Sequence, residues 1–204
     1  IRFNSQKLAC VAQAASPEEA RYYLCGVRFE DGLAIATNGH VLTVAKDDDA
    51  PKGQTGLLPV SPKAITALKK KAADRAVFDA GVLTVCDISG QVLYIEPSVE
   101  IDATFPDWRR VVPGEIGGAT DAAFAYGVLK ILCDTRKILG AELGLRLTGS
   151  DQYAPHTVTY DGVDDVVSVA MPIRASDAIY PDWLSARAET VSYTHLTLPT
   201  NREV

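Results

Sequence analysis

Apolar positions along this chain recur with two alternating periods, and the alternation occurs three times. Near the start, Leu8, Val11, Ala12 and Ala15 fall at i, i+3, i+4 and i+7, the spacing of one helix face. Asn4 or Ser5 can cap that helix and Pro17 can stop it. Strand-like runs follow at 26–29, 33–37 and 41–45, with turns at Asp31-Gly32 and Asn38-Gly39, pairs that tolerate positive φ. A second unit opens with a strand at 57–60. Ser61-Pro62 then starts a helix with Pro in its first turn, and Ile65, Leu68 and Ala72 form the expected buried stripe. Strands at 76–78, 82–87 and 92–95 complete it. The third unit reads as a strand at 122–126 and a helix burying Val128, Ile131, Leu132 and Leu139 and ending at Gly140. Strands at 143–148, 156–160 and 166–171 close the pattern.

A gap-free internal repeat supports this division. VLYIEPSVEIDATFPDW, from Val92 to Trp108, aligns with VSVAMPIRASDAIYPDW, from Val167 to Trp183, so that Val, Pro, Asp-Ala and Pro-Asp-Trp coincide and Phe105 stands opposite Tyr180. A shared period marks a duplicated supersecondary unit. The expected fold class is α+β, built from repeated β-α-β-β-β units with helices on one face of antiparallel sheets.

Composition narrows the function classes. With 204 residues, 47% apolar and 23% charged, the chain has the makings of a folded core, and no apolar run approaches the roughly 20 residues of a membrane helix. No charged-then-apolar leader opens the sequence, which starts at Ile1, so a start methionine is expected upstream. Cys10, Cys25, Cys86 and Cys133 are scattered without a CxxC pair and read as buried, reduced thiols of a cytoplasmic protein. The net charge of −6 argues against coating nucleic acid through bulk positive charge, while leaving room for a local basic face.

Catalytic chemistry is not expected. Gly53-Gln-Thr-Gly56 lacks the spacing and the Lys of a phosphate-binding loop. Cys25 and His40 invite a nucleophile–base pairing, but neither sits in a nucleophile elbow. His40 and His156 have no ligand-spaced partners, and Asp47-Asp-Asp49 reads as a solvated linker, so neither metal nor cofactor is implied. The tail is set apart: Val191 to Thr200 (VSYTHLTLPT) matches a transposon-end sequencing adapter translated in one frame, and 191–204 is read as foreign to the fold.

Three segments resemble one family, the bacterial DNA polymerase III beta sliding clamp. RYYLCGVRFE at 21–30 resembles the opening strand of the clamp's central domain, ATNGHVL at 36–42 its "ATDGHRL" turn, and FPDWRRVVP at 105–113 its closing "FPDYRRVLP" segment. A fourth, VAMPIR at 169–174, is similar to the clamp's C-terminal strand. The resemblance implies a DNA-clamp fold, with 1–113 as a central-domain-like pair of units and 118–190 as one unit of a C-terminal domain. A full clamp chain has six such units, and the three here imply a shortened, phage or mobile-element type of clamp that works as a homo-oligomer. Two residues depart from the pattern: Asn38 stands where Asp is usual and Val41 where Arg is usual, which makes the rim more apolar.

The implied role is a processivity factor, not an enzyme, which tethers DNA polymerase to double-stranded DNA without reading sequence and is loaded by a clamp loader. Two sets of residues carry it. Candidate phosphate contacts are Arg21, Tyr22 and Tyr23 before the first hairpin, Lys63, Lys70, Lys71 and Arg75 on or beside the second helix, and Lys130, Arg136 and Lys137 on the third. A hydrophobic groove for linear peptides of partner proteins would draw Leu24, Thr37, Gly39, His40, Val41, Leu42, Pro106 and Val111 from the first block and Val169, Met171, Pro172 and Arg174 from the last. Two other readings compete. A clamp mimic would keep the groove and never encircle DNA; an enzyme on a similar scaffold would need a deep polar pocket near Cys25 and His40.

Overall fold

A computed structural model of the chain describes residues 1–114, 118, 121–140 and 144–175. The expected tail and residues 176–183 of the second copy of the internal repeat lie outside the described residues.

The first unit runs β1 (Arg2–Asn4), α1 (Ser5–Ala12), a 3-10 segment (Glu19–Leu24), then β2 (Gly26–Glu30), β3 (Leu33–Thr37) and β4 (Val41–Lys46). The second runs β5 (Thr55–Pro59), α2 (Pro62–Leu68), β6 (Arg75–Asp79), β7 (Val82–Cys86) and β8 (Val92–Pro97), followed by a 3-10 turn at Trp108–Val111. The third holds α3 (Tyr126–Leu139), β9 (Leu145–Thr148), β10 (His156–Tyr160) and β11 (Val163–Ala170). The mixed α+β class with antiparallel sheets is as expected.

The sheets are not assembled unit by unit. The first two units exchange their leading strands: β1 pairs with β6, and β5 pairs with β2. The result is a four-stranded sheet β1-β6-β7-β8 and a seven-stranded sheet β5-β2-β3-β4-β11-β10-β9. In the larger sheet β4 pairs antiparallel with β11, from Ala45 opposite Val166 to Val41 opposite Ala170. The sheet therefore runs unbroken from the first block of sequence into the last.

Local chemistry fixes the helix starts. The Asn4 side chain accepts from the Lys7 N–H at 3.1 Å, and the Ser61 hydroxyl accepts from the Ala64 N–H at 3.1 Å with Pro62 in the first turn. Gly140, at φ 67°, ends α3 in the left-handed conformation that glycine adopts without strain.

Several expectations need correction. α1 is buried on more than one face: Ser5, Leu8, Ala9, Cys10, Val11 and Ala12 are all enclosed, because α2 and α3 both pack against it. Its small side chains permit that approach, and the Cys10 thiol donates to the Thr135 carbonyl of α3 at 3.8 Å. α1 ends at Ala12, well before Pro17, and Ala15 is only half-buried. α2 stops at Leu68, so Lys70, Lys71 and Arg75 are not helical and Ala72 is exposed; Ala64, Ala67 and Leu68 are the buried residues. The chain leaves the helix there because Arg75 must already pair with Asn4 in the sheet. Residues 19–24 form a 3-10 segment where the resemblance implied strand. The strand expected at 122–126 is reduced to one bridge, Ala123 to Ile173, and Tyr126 begins α3.

Two polar expectations also change. Asp47 is buried, its Oδ2 accepting from the Asn4 N–H at 2.7 Å and its Oδ1 from the Asp49 N–H at 3.2 Å, so it braces β1 where a solvated linker was expected. Of the cysteines, all free, Cys10 is buried and Cys133 is exposed. Among the described residues no helix is long and apolar enough to cross a membrane.

Candidate functional site

The β4–β11 joint places two distant segments side by side. Val169 lies opposite Leu42 and Ala170 opposite Val41; one step further, the Met171 N–H donates to the His40 carbonyl at 2.9 Å. The turn that presents His40 is held by its own side chains. Asn38 Oδ1 accepts from the N–H groups of His40 and Val41, both at 2.9 Å, and Thr37 Oγ1 accepts from the Gly39 N–H at 3.0 Å. Gly39 sits at φ 90°, where a side chain would strain the backbone. The Asn at 38 thus does the work expected of Asp at that place without adding a charge.

A cavity of about 300 Å³ opens over this joint. Leu24, Thr37, Gly39, His40, Val41 and Leu42 contribute from the first block, Pro106 and Val111 from the closing segment, and Val169 and Met171 from the last. Ten of the twelve residues expected to form a groove therefore share one wall. Pro172 and Arg174 are not part of it, and Arg174 is exposed. The lining is mostly apolar: Leu24, Val41, Leu42 and Val169 are buried, and half-exposed Val111 forms part of the rim. Its volume is at the small end of ligand pockets, enough for a few apolar side chains.

Three wall residues were not foreseen: Tyr23, Asp107 and Trp108. Tyr23, by sequence a candidate for phosphate or stacking contact and equally for the core, lines the cavity with its ring against Tyr22 at 6.0 Å between centroids. Trp108 packs with Phe105 against Ile35, Leu42 and Val169. Its indole N–H donates to Glu30 Oε1 at 3.1 Å, and Arg109 pairs with the same oxygen at 2.8 Å while its guanidinium lies 4.4 Å from the Trp108 ring centroid. Burial alone would raise the Glu30 pKa, but the hydrogen bonds from Trp108 and Arg109 outweigh it and hold the carboxyl below its ordinary value. The repeated Pro-Asp-Trp of the sequence was the available signal for Trp108.

The expected DNA contacts are spread more widely. Arg21 pairs with Glu18 at 2.7 Å and donates to the Asn38 carbonyl at 3.3 Å, so it braces the His40 turn as well as facing outward. Tyr22, Lys63, Lys70 and Lys71 are exposed. Arg75 pairs with Asp74 at 3.3 Å at the start of β6. On α3, Asp134 takes Lys130 at 2.6 Å and Lys137 at 3.7 Å, and Arg136 is half-buried. These pairs are exposed and weak.

The pairing of Cys25 and His40 as nucleophile and base gains no support. The Cys25 thiol donates to the Glu18 carbonyl at 3.2 Å and the Arg21 carbonyl at 3.5 Å, and burial, reinforced by Glu19, raises its pKa and disfavours the thiolate. Among the described residues no group of three or more His, Cys, Asp or Glu side chains could hold a metal ion.

Repeated hairpin units, exchanged leading strands and helices packed beneath continuous antiparallel sheets define the class: this is the fold of bacterial sliding clamps. The particular relatives are solved structures. A DNA polymerase sliding clamp from Pseudomonas aeruginosa, solved with ligand, matches at TM-score 0.63 and 17% identity over 86% of this chain and 66% of that one. The DNA polymerase III beta subunit of Thermotoga maritima matches at TM-score 0.55 and 14% identity over 86% and 65%. The Bacillus subtilis sliding clamp matches at 0.58 and 14% over 86% and 64%. The chain thus spans somewhat under two thirds of the length of these clamps. No protein-family model and no curated protein matches the sequence.

Proposed function

We propose that the chain is a clamp-type replication accessory protein whose cavity over the β4–β11 joint captures short linear peptides of partner proteins. One observation carries the reading: Leu24, Leu42, Val169 and Met171, from opposite ends of the sequence, converge on one apolar cavity beside a turn braced by Asn38 and Thr37. Small apolar walls with a few fixed polar groups suit side chains of an extended peptide. DNA polymerase and a clamp loader are the proposed partners, and tethering the polymerase on duplex DNA is the proposed task. The shortened, oligomeric phage or mobile-element type extends the same reading. For the order of units alone there is a supporting feature: the 3-10 turn ends at Val111 and α3 begins at Tyr126, too short a stretch for a further unit between the second and the third.

The DNA role would rest on Lys63, Lys70 and Lys71 near α2 and on Lys130 and Lys137 of α3, touching phosphates loosely and without reading bases. Asp134, pairing both α3 lysines, favours a second reading, a mimic that holds clamp-binding peptides without encircling DNA.

Fluorescence anisotropy with a labelled peptide carrying the clamp-binding motif of a bacterial polymerase tests the groove. Saturable binding that weakens about tenfold in Met171→Ala, the loss of a wall contact worth roughly 1.4 kcal/mol, is the expected result. Unchanged binding in Met171→Ala and in Val111→Asp would remove the groove from the proposal. Retention on circular but not linear DNA separates the clamp from the mimic.

A further inference from the structure

Trp108 stands between two cavities. On one side it closes the apolar cavity over the β4–β11 joint. On the other, with Pro106 and Asp107 still in the shared wall, a second cavity of about 560 Å³ opens. Arg28, Glu30, Thr104 and Arg109 give that second space its polar lining. Arg28 and Glu30 are two apart on β2 and so project from one face of the sheet, and Ile35 opposite Arg28 shares that face. Ile35 packs with Phe105 and Trp108, so both cavities lie where the closing segment covers the same side of the sheet.

The charges in the second cavity are unevenly met. Asp107 Oδ2 accepts from Arg110 Nε at 3.0 Å, and Arg110 is not part of the wall. Glu30 is left to answer two guanidinium groups. Its Oε1 accepts from the Trp108 indole at 3.1 Å and pairs with Arg109 Nη1 at 2.8 Å. Its Oε2 lies 3.7 Å from Arg28 Nε, an ion pair too long for a hydrogen bond. Among the described residues that is the one ion pair of Arg28, whose side chain is only 28% exposed. A guanidinium offers its N–H groups in a planar fork that fits a carboxylate through two parallel bonds. Glu30, already engaged by Trp108 and Arg109, does not fill the fork of Arg28.

We propose that this second cavity is a carboxylate subsite of the peptide groove. Arg28, backed by Arg109, takes an Asp or Glu side chain that flanks the apolar anchors of a bound peptide. The inference rests on the groove reading and adds to it the charge of the partner segment. The shared wall supplies the occupant: an extended peptide advances about 3.3 Å per residue, so one leaving the apolar cavity past Pro106 and Trp108 reaches the charged one within a few residues. The sign comes from Arg28. With a net charge of −6 the molecule as a whole repels an acidic segment, so a gain from acid is local.

Anisotropy with peptides blocked at both ends, so that only side-chain carboxylates respond, tests this. The apolar motif is held constant while the residues on each flank are Gln, Glu or Lys in turn. Glu on one flank should raise affinity about five- to tenfold over Gln, and Lys on that flank should lower it. Arg28→Gln should bind the neutral peptide as wild type does, which also reports an intact fold, and should reduce the advantage of Glu to about twofold or less. Arg28→Lys keeps the charge without the fork and should keep part of that advantage. Equal binding of the Glu and Gln peptides overturns the subsite and leaves the groove standing, as does an advantage of Glu that survives Arg28→Gln. An equal fall for the neutral and acidic peptides in Arg28→Gln also overturns it, since Arg28 would then act on the fold. No saturable binding of any peptide overturns groove and subsite together.

Discussion

β4 and β8 occupy the same place in successive units, and the sequence treats them alike: each is a short β-branched and aliphatic run after a glycine-containing turn. Their surroundings differ. β4 has a neighbour on both sides, and its Val41, Leu42, Thr43 and Ala45 are buried. No residue of β8 is buried. Strand propensity therefore reflects fit to a pleated surface, and burial is decided by what arrives at the edge. For β4 the arrival is β11, from more than a hundred residues away, and with it come the floor and one wall of the cavity.

The sharpest break of this comparison places one substitution at both edges. Leu42→Asp puts a carboxylate into the apolar cluster of Ile35, Val169, Phe105 and Trp108, with no cation in that cluster to meet it. We expect a loss of about 3–5 kcal/mol, the usual cost of an uncompensated buried charge. Ile95→Asp on β8 should cost within about 0.5 kcal/mol in the monomer. Urea denaturation at low protein concentration reads both; equal losses would mean that the two edges are equally buried in solution.

The joint also contains a buried hydroxyl chain that the β8 edge lacks. Ser168 Oγ on β11 lies 2.9 Å from Thr43 Oγ1 on β4 and 2.9 Å from the Tyr160 hydroxyl on β10. Burial pushes the Tyr160 pKa up to about 12, so the phenol remains a proton donor throughout the neutral range. Ser168→Ala leaves two buried hydroxyls short of a partner, and we expect a loss of about 1–3 kcal/mol. Adding Thr43→Val should recover part of it, because the second orphan is then removed. A double variant as unstable as the sum of the singles would show that the chain is not coupled.

How much was legible follows the same division. Helix starts and hairpins depend on neighbours in sequence, and Asn4, Ser61-Pro62 and Asn38-Gly39 announced them correctly. The groove residues were brought together by resemblance alone, since periodicity cannot say that Met171 will bond to His40. The exchange of β1 and β5 was illegible for the same reason: either strand fits either sheet by pattern, and only the assembled register decides. The length of α2 was misread because its apolar spacing continues to Ala72, while sheet pairing at Arg75 pulls the chain away. Trp108 was in view but unused. Its role depends on Glu30 at the end of β2, some eighty residues earlier in the chain, whose carboxylate takes the indole N–H.

That Glu30 brace gives the smallest and most specific expectation. The carboxyl is held below its ordinary value because its charged form accepts from Trp108 and Arg109. A depressed folded pKa means that the stabilisation is complete above the unfolded value and is lost as pH falls through the folded one. Peptide affinity should therefore be flat across neutral pH and weaken a few-fold on acidification below the ordinary carboxylate range, as Trp108 loses its anchor. Glu30→Gln keeps an acceptor for the indole and removes the titration, so its affinity should start slightly lower and show less of the acid decline. An acid decline of equal size in wild type and Glu30→Gln would place its origin elsewhere in the wall, with Asp107 the next carboxylate to test.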